Sequence, residues 1–346
     1  MELPKQIFSG HWTGGHCQGI AVDTRREYIY YSFTTMLVKT DMEGRLVGSV
    51  TGLLGHLGCL AFCDDDCRLY GSLEYKNDAI GKGLLKNIGS DAKVEDAFYM
   101  AVFDVERITR PGMDACADGV MTAVYLKEVL DDYSAEVIAG GKKLLHRHGC
   151  SGIDGVTFAP VPGDAYGKRR LFVAYGVYGD VTRPDNDYQV LLCYDTADWD
   201  KYSLPLKQWA MHRTGPEKPL HKFFVHTGNT TYGVQNLEYD AATGDLLMAV
   251  YRGAKREFPN HALYAVDGKR QAEWAKLIGV EPETQGEVLA LSGGGWDFEY
   301  GSTGLCSLGD GRFYVSHDGR DDGGYYTSVR MYRWNGESPL VQEADV

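Results

Sequence analysis

The stretch Gly14-Gly15-His16-Cys17-Gln18-Gly19-Ile20-Ala21-Val22-Asp23, followed by a polar turn and Tyr28-Ile29-Tyr30-Tyr31-Ser32, limits the possible folds more than any other part of the chain. It reads strand, tight turn, strand: short apolar runs rich in β-branched and aromatic residues, bounded by turn formers. Four later passages repeat it, from Gly55 to Glu74, Leu145 to Tyr175, Tyr232 to Arg252 and Gly301 to His317. A unit with two apolar faces cannot bury both alone. Copies of it must stack on one another.

Each passage is followed by further strand-like runs, as in Met36 to Thr40 and Arg45 to Thr51 after the first. Four antiparallel strands in sequence make a meander, and meanders arranged radially make a β-propeller. The sequence therefore predicts an all-β chain with five four-stranded blades, six being the alternative, as a single domain over residues 1–346. Blade two carries an insertion at Lys76 to Glu95, and the helix-like spacing of Leu126 to Val137 suggests an excursion before blade three. Thr196 to Leu220 reads as an irregular loop, and Glu287 to Leu291 as the outer strand of blade four. For blade five the outer strand is either Pro339 to Gln342 or the N-terminal Lys5 to Ser9, the latter closing the ring and removing its open edges.

A formal charge of -13 and the lack of any Lys/Arg-rich run argue against a nucleic-acid partner. No stretch is long and apolar enough to span a bilayer, and Met1-Glu2-Leu3-Pro4-Lys5-Gln6 has neither the basic start nor the apolar run of a leader. The expectation is a cytoplasmic protein with no membrane partner, or a secreted one whose leader has been removed. The eight Cys lie mostly within apolar runs, as free thiols of a reducing compartment do. Cys63-Asp64-Asp65-Asp66-Cys67 reads as a charged turn flanked by two packed Cys, with a metal hook or hairpin disulfide as alternatives.

The run G-I-A-V-D, turn, Y-I-Y-Y-S at Gly19 to Ser32, together with N-L-E-Y-D, A-A-T-G, D-L-L-M-A-V at Asn236 to Val250, resembles the repeats of NHL, gluconolactonase-like and phytase-like propellers. The likeness specifies a blade rather than an activity. Gluconolactonase-like enzymes hold a divalent metal with Glu, Asn and Asp from separate blades; Glu238, Asn236 and Asp154 have the matching chemical types without matching positions. Five-bladed furanosidases and arabinanases use carboxylates at successive inner strands, whereas His16 and His56 stand at the first two openings here.

In a propeller, the loops leading into the innermost strands and those joining second to third strands meet around one mouth of the central channel, a ready-made concave site. Here those loops carry His16, His56, His148, Glu74, Arg252, Trp296 and His317. Histidine binds borderline metals through a neutral nitrogen and transfers protons near neutral pH. In one reading His16, His56 and His148 bind one divalent ion, Ca, Mn or Zn, with a position left open for water or substrate. In the other, the face works without metal and Glu238, Asp154, Glu74 or Glu299 act as general acid and base. Across both readings the candidate catalytic residues are His16, His56, His148, Asp154, Glu238 and His317, and the candidate substrate-binding residues Glu74, Tyr75, Tyr175, Arg252, Trp296 and Tyr300. Lys76 and Arg252 would hold its acidic groups, and Tyr232 would be a further stacking plane.

No dinucleotide fingerprint, P-loop, nucleophile elbow or H-E-x-x-H motif occurs, so no nucleotide cofactor is expected. These readings converge on an enzyme that hydrolyses or eliminates a small carbohydrate or sugar acid, whether glycoside hydrolase, polysaccharide lyase or lactonase-like hydrolase. The competing class is a non-catalytic propeller that binds a glycan or other small molecule.

Overall fold

Tyr30 and Tyr31 are neighbours on the strand Tyr28–Phe33, and both are almost completely buried. Successive side chains on a strand point to opposite faces. Tyr30 accordingly packs with Leu57 and Leu60 of blade two, and Tyr31 with Tyr314 and Val329 of blade five. The same division recurs around the molecule, giving five apolar clusters, one filling each gap between adjacent blades. The cluster joining blade five to blade one closes the ring. Burial on both faces is also why the strands read as continuous apolar runs rather than as strict alternation.

A computed structural model describes residues 3–344, all-β in architecture with five blades. Met1 and Glu2, on which the leader expectation begins, lie outside it, as do the last two residues of the predicted 1–346 domain. Blade one is Cys17–Val22, Tyr28–Phe33, Met36–Asp41 and Leu46–Thr51, extended by the short parallel strand Met113–Asp114. Blade two is His56–Cys63, Arg68–Tyr75, Ala97–Phe103 and Met121–Tyr125. Blade three starts with Cys150–Ala159, Arg170–Val177, Tyr188–Tyr194 and His221–His226.

Blade four has three regular strands, Thr231–Asp240, Asp245–Tyr251 and Leu263–Val266. The expected fourth strand belongs elsewhere: Gln285–Leu289 pairs in parallel with His221–His226 and extends blade three, together with Glu273–Lys276. Val288 and Leu289 find apolar partners against blade three, a choice that local strand propensity does not encode. Isolated bridges from Leu291 and Trp296 finish the edge of blade four instead. Blade five is Leu305–Ser307, Arg312–Asp321, Gly324–Arg333 and the N-terminal Gln6–Phe8, which pairs Ile7 with Val329. Both candidate outer strands are used, since Val341–Gln342 pairs with Tyr332 and Arg333 further along the same strand.

The insertion in blade two folds into helix α1, Ala79–Asn87, capped by the Asp78 side chain, which accepts from the Gly81 N–H. Helix α2, Lys127–Tyr133, occupies the predicted excursion, followed by the hairpin Glu136–Ala139/Lys142–Leu145. All eight Cys are free; Cys63 is buried, but Cys67 is exposed on the turn, so only one of that pair is packed. Among the described residues no helix is long and apolar enough to cross a membrane.

Two features of the innermost strands position the site. They approach one another closely: a Cβ on Gly19 would come within 2.8 Å of Cys59 Cα, so only glycine fits there. They are also irregular, with register shifts between Cys17 and Gly19, Leu57 and Leu60, Ile153 and Val156, and Val234 and Asn236. A β-bulge re-aims the side chains beside it. Gln18, Asp154 and Gln235 sit in these shifts, and all three line the channel mouth.

Candidate functional site

The channel mouth opens into a cavity of about 380 Å³ built by the first four blades. Blade one supplies His16 and Gln18, blade two His56, Glu74 and Lys76, blade three Asp154, and blade four Tyr232, Gln235 and Tyr251. Ile80 of α1 lies over the rim. Blade five reaches the edge through Asp318, whose Oδ1 accepts the Cys17 N–H at 2.9 Å.

At its base is a buried ion pair. Lys76 Nζ stands 2.5 Å from Glu74 Oε1 and donates to Ser151 O at 3.0 Å, while Glu74 Oε2 accepts the Ile153 N–H at 3.1 Å. Burial works against the Lys76 ammonium, but the Glu74 charge and hydrogen bond outweigh it and hold the lysine above its ordinary range. For Glu74 burial is the larger influence and pushes the carboxyl up against Lys76. The 2.5 Å contact and the Ile153 N–H favour the ionised pair. Gly152 makes the geometry possible, because at its φ of +132° any Cβ would lie 1.9 Å from Glu74 Oε2.

Above the pair stand His56 and Asp154. His56 Nδ1 is 3.8 Å from Asp154 Oδ1 and 3.9 Å from Glu74 Oε1, and it has no hydrogen-bond partner. Burial, reinforced by the Lys76 charge, lowers the imidazole to about 3, so His56 is neutral. Asp154 shifts the other way: burial first, then the Glu74 charge, raise its carboxyl well above the usual range, opposed by a 3.2 Å hydrogen bond from Gln235 Nε2. A neutral imidazole and a carboxyl that holds its proton more tightly than usual thus face each other on one cavity wall, the opposed environments that separate a base from an acid. His16 stands across the mouth, with Nε2 2.9 Å from the Gln18 amide nitrogen; burial lowers its pKa and the Asp318 charge pulls it back up.

The remaining predicted residues lie elsewhere. His148 is not with His16 and His56; it is buried at the outer side of blade three with its ring edge-on to Phe224 at 5.0 Å. The three-histidine metal set is therefore not brought together, and among the described residues no group of three or more His, Cys, Asp or Glu is arranged to hold an ion. His317 stacks on Tyr300 at 3.7 Å between centroids and meets Tyr332 Oη at 2.9 Å, so both residues serve packing away from the mouth cavity. Tyr75 and Tyr175 are fully buried, their hydroxyls donating to Gln208 and Asp132. Arg252 pairs with Asp297 at 3.2 Å on the surface, and Trp296 packs edge-on against Trp334.

Glu238 faces the other mouth of the channel. Six residues beyond Tyr232 on the same strand, at ~3.3 Å per residue, it stands roughly 20 Å further down. There it lines a cavity of about 220 Å³ with Arg26 and Arg169, and its Oε1 accepts the Ser307 N–H at 3.1 Å. Burial raises its pKa to about 8. A carboxyl raised on folding contributes stability that is full below its unfolded value and is lost as pH rises through the folded one. Between pH 4.5 and 8 the wild type is therefore expected to lose stability relative to Glu238→Gln, by on the order of 2–4 kcal/mol. Urea unfolding of both proteins across that range checks this, and parallel pH profiles would contradict it.

Of the residues chosen from sequence, His16, His56, Glu74 and Asp154 meet in one cavity, with Lys76 and Tyr232 beside them. Gln18, Gln235 and Tyr251 were not anticipated. The first two precede Gly19 and Asn236, the close-packed positions of their strands, and that placement is the available signal.

No family model and no curated protein matches this chain. Among solved structures, it is similar to a soluble aldose sugar dehydrogenase from Escherichia coli in the apo-form, at 9% identity over 94% of this chain and 98% of that one, TM-score 0.39. It is also similar to the Dos1 propeller, at 10% identity over 94% and 69% of the two chains, TM-score 0.35. The Cps50 (Swd1) β-propeller domain of Myceliophteria thermophila matches at 12% identity over 93% and 98%, TM-score 0.34. Such loose superpositions carry no functional argument. The propeller rests on the strand pairing and the five inter-blade clusters.

Proposed function

We propose that the mouth cavity binds a small sugar acid or its lactone and that His56 and Asp154 act on it as base and acid. The observation that carries this reading is their juxtaposition: a neutral imidazole with an unpartnered Nδ1, 3.8 Å from a buried carboxyl, in a cavity of about 380 Å³. Tyr232 and Tyr251 flank the opening and suit the apolar face of a sugar ring. Lys76 has three donors and uses two, on Glu74 and Ser151 O, which leaves one for a substrate oxygen.

Spacing selects among reactions. Glycosidase carboxyl pairs stand about 5–5.5 Å apart for retention and about 6.5–9.5 Å for inversion. The His56–Asp154 approach is shorter than either, so both groups would act from one side of a bound ligand. That geometry suits removal and return of a proton on one face, as in elimination from a sugar acid or hydrolytic opening of a lactone. In an elimination, His56 Nδ1 takes the proton from carbon and Asp154 gives its own to the departing oxygen. In lactone opening, His56 takes a proton from the attacking water and Asp154 protonates the ring oxygen as the carbon–oxygen bond breaks.

The test is a panel of aldonolactones and uronic-acid oligosaccharides, following acid release and the absorbance of unsaturated products, with calorimetric binding in parallel. Turnover of at least one class, falling about 100-fold or more in His56→Gln, is expected. Saturable binding without products would make the protein a ligand-binding propeller, and neither binding nor turnover would remove the carbohydrate reading.

A further inference from the structure

Outside the channel, a groove of about 880 Å³ lies at the outer side of blade three. One wall comes from the hairpin after α2, through Val137 and Ile138, and the other from Trp274, Val280 and Pro282. Ile138 bridges to Glu281 and ties the two walls together. Trp274 is 70% exposed, and Leu220 at 54% and Ile138 at 49% present further apolar surface.

His148 lines the base of this groove. It is only 4% exposed, and its Nδ1 has no hydrogen-bond partner. Its backbone is left-handed at a φ of +56°, as is that of His146 at +68°, a conformation that non-glycine residues hold only when the surroundings impose it. A buried, unpaired ring nitrogen is costly, and on a residue that lines a cavity it calls for a partner. The charges nearby already have theirs. Lys222 is bound to Glu128 and Asp132, Arg147 to Asp132 at 2.8 Å, and His221 to Glu287 at 3.0 Å. Asp185 is held by Arg183 at 2.8 Å, and the Lys218 and Glu281 that also line the groove are exposed, so among the described residues the groups packed around His148 leave no free countercharge at the base.

We infer that this groove is a second ligand site, separate from the channel mouth, for an uncharged molecule with an aromatic or similarly flat apolar body and one hydroxyl-type group that hydrogen-bonds to His148. Phe224 sets the ring edge of His148, and Trp274 provides the plane for the ligand body.

Titration of the full-length protein with p-cresol and with toluene, followed by the histidine side-chain nitrogen and Trp274 indole resonances in NMR, tests this. Saturable p-cresol binding is expected, with shifts at both His148 and Trp274 and an affinity at least fivefold above that of toluene. In His148→Phe, which keeps the ring packing on Phe224, that preference should disappear. Toluene binding as tightly as p-cresol in the wild type would overturn the hydrogen-bonded site, and this comparison needs no folded variant. Non-saturating shifts, or shifts that spare His148, would overturn it as well.

Discussion

Asp154→Asn is expected to abolish turnover while making the protein more heat-stable. The carboxyl is buried beside the Glu74 charge, and both influences raise its pKa well above the usual range. A group raised in this way gives its full stabilisation below the ordinary carboxylate range, and that stabilisation is lost as pH rises through the folded value. Near neutrality the wild type thus carries the burden of a buried acid that its unfolded chain would ionise freely. Asparagine has nearly the same shape, still meets the Gln235 amide at the 3.2 Å position, and has no proton to lose. Melting temperature should rise by about 2–4 °C per kcal/mol recovered, and the gain over wild type should widen from pH 4 to pH 8. Turnover of any substrate from the panel should fall by about 100- to 10,000-fold, the usual contribution of a positioned acid. Calorimetry and kinetics on the two proteins check both halves. A variant that is less stable at pH 8 and equally active would show Asp154 to be a structural hydrogen-bonding residue.

The largest loss of stability should come from Lys76→Met. The side chains of Lys76 and Glu74 are 8% and 5% exposed, and they meet at 2.5 Å. Removing one partner of a buried pair leaves the other charge uncompensated, which costs about 3–5 kcal/mol. The stranded Glu74 would also lie near Asp154, whose own carboxyl the Glu74 charge already raises. Replacing both partners by neutral groups of similar shape removes the uncompensated charge as well as the attraction. Glu74→Gln with Lys76→Met should therefore recover most of the loss. Urea unfolding of the two single variants and the double variant gives the coupling directly. A Lys76→Met protein within about 1 kcal/mol of wild type would mean that the pair is not ionised in the folded state.

Six of the residues named from sequence, His16, His56, Glu74, Lys76, Asp154 and Tyr232, share the mouth cavity, and the others lie elsewhere for distinct reasons. Glu238 was grouped with Asp154 because both stand on innermost strands. Counting along Thr231–Asp240 places it near the far end, so this error could have been avoided from strand length alone. His148, like His16 and His56, stands at or just before the start of an innermost strand. Its left-handed backbone turns it away from the channel, and nothing in the order Arg147-His148-Gly149 announces that conformation. Gln18 and Gln235 sit at bulges, where the two-residue alternation that identifies a strand's faces breaks down.

The blades themselves were legible in sequence, because each is a local object: Gly19 to Ser32 already contains both strands and the turn that pairs them. Even the closing strand could be anticipated, since Ile7 needed an apolar partner and the last blade lacked an edge. What the order of residues could not supply was how far each innermost strand rotates at its bulge, and which blade a late strand such as Gln285–Leu289 would join. Those outcomes depend on packing between segments far apart in the chain, where Gly19 meets Cys59 and Gly152 makes room for Glu74. The sequence by itself determined the ring and the residue types at its mouth. Only the tertiary structure decided that His56, Asp154, Glu74 and Lys76 would share one cavity, because their proximity is set by the closure of the ring and not by any spacing along the chain.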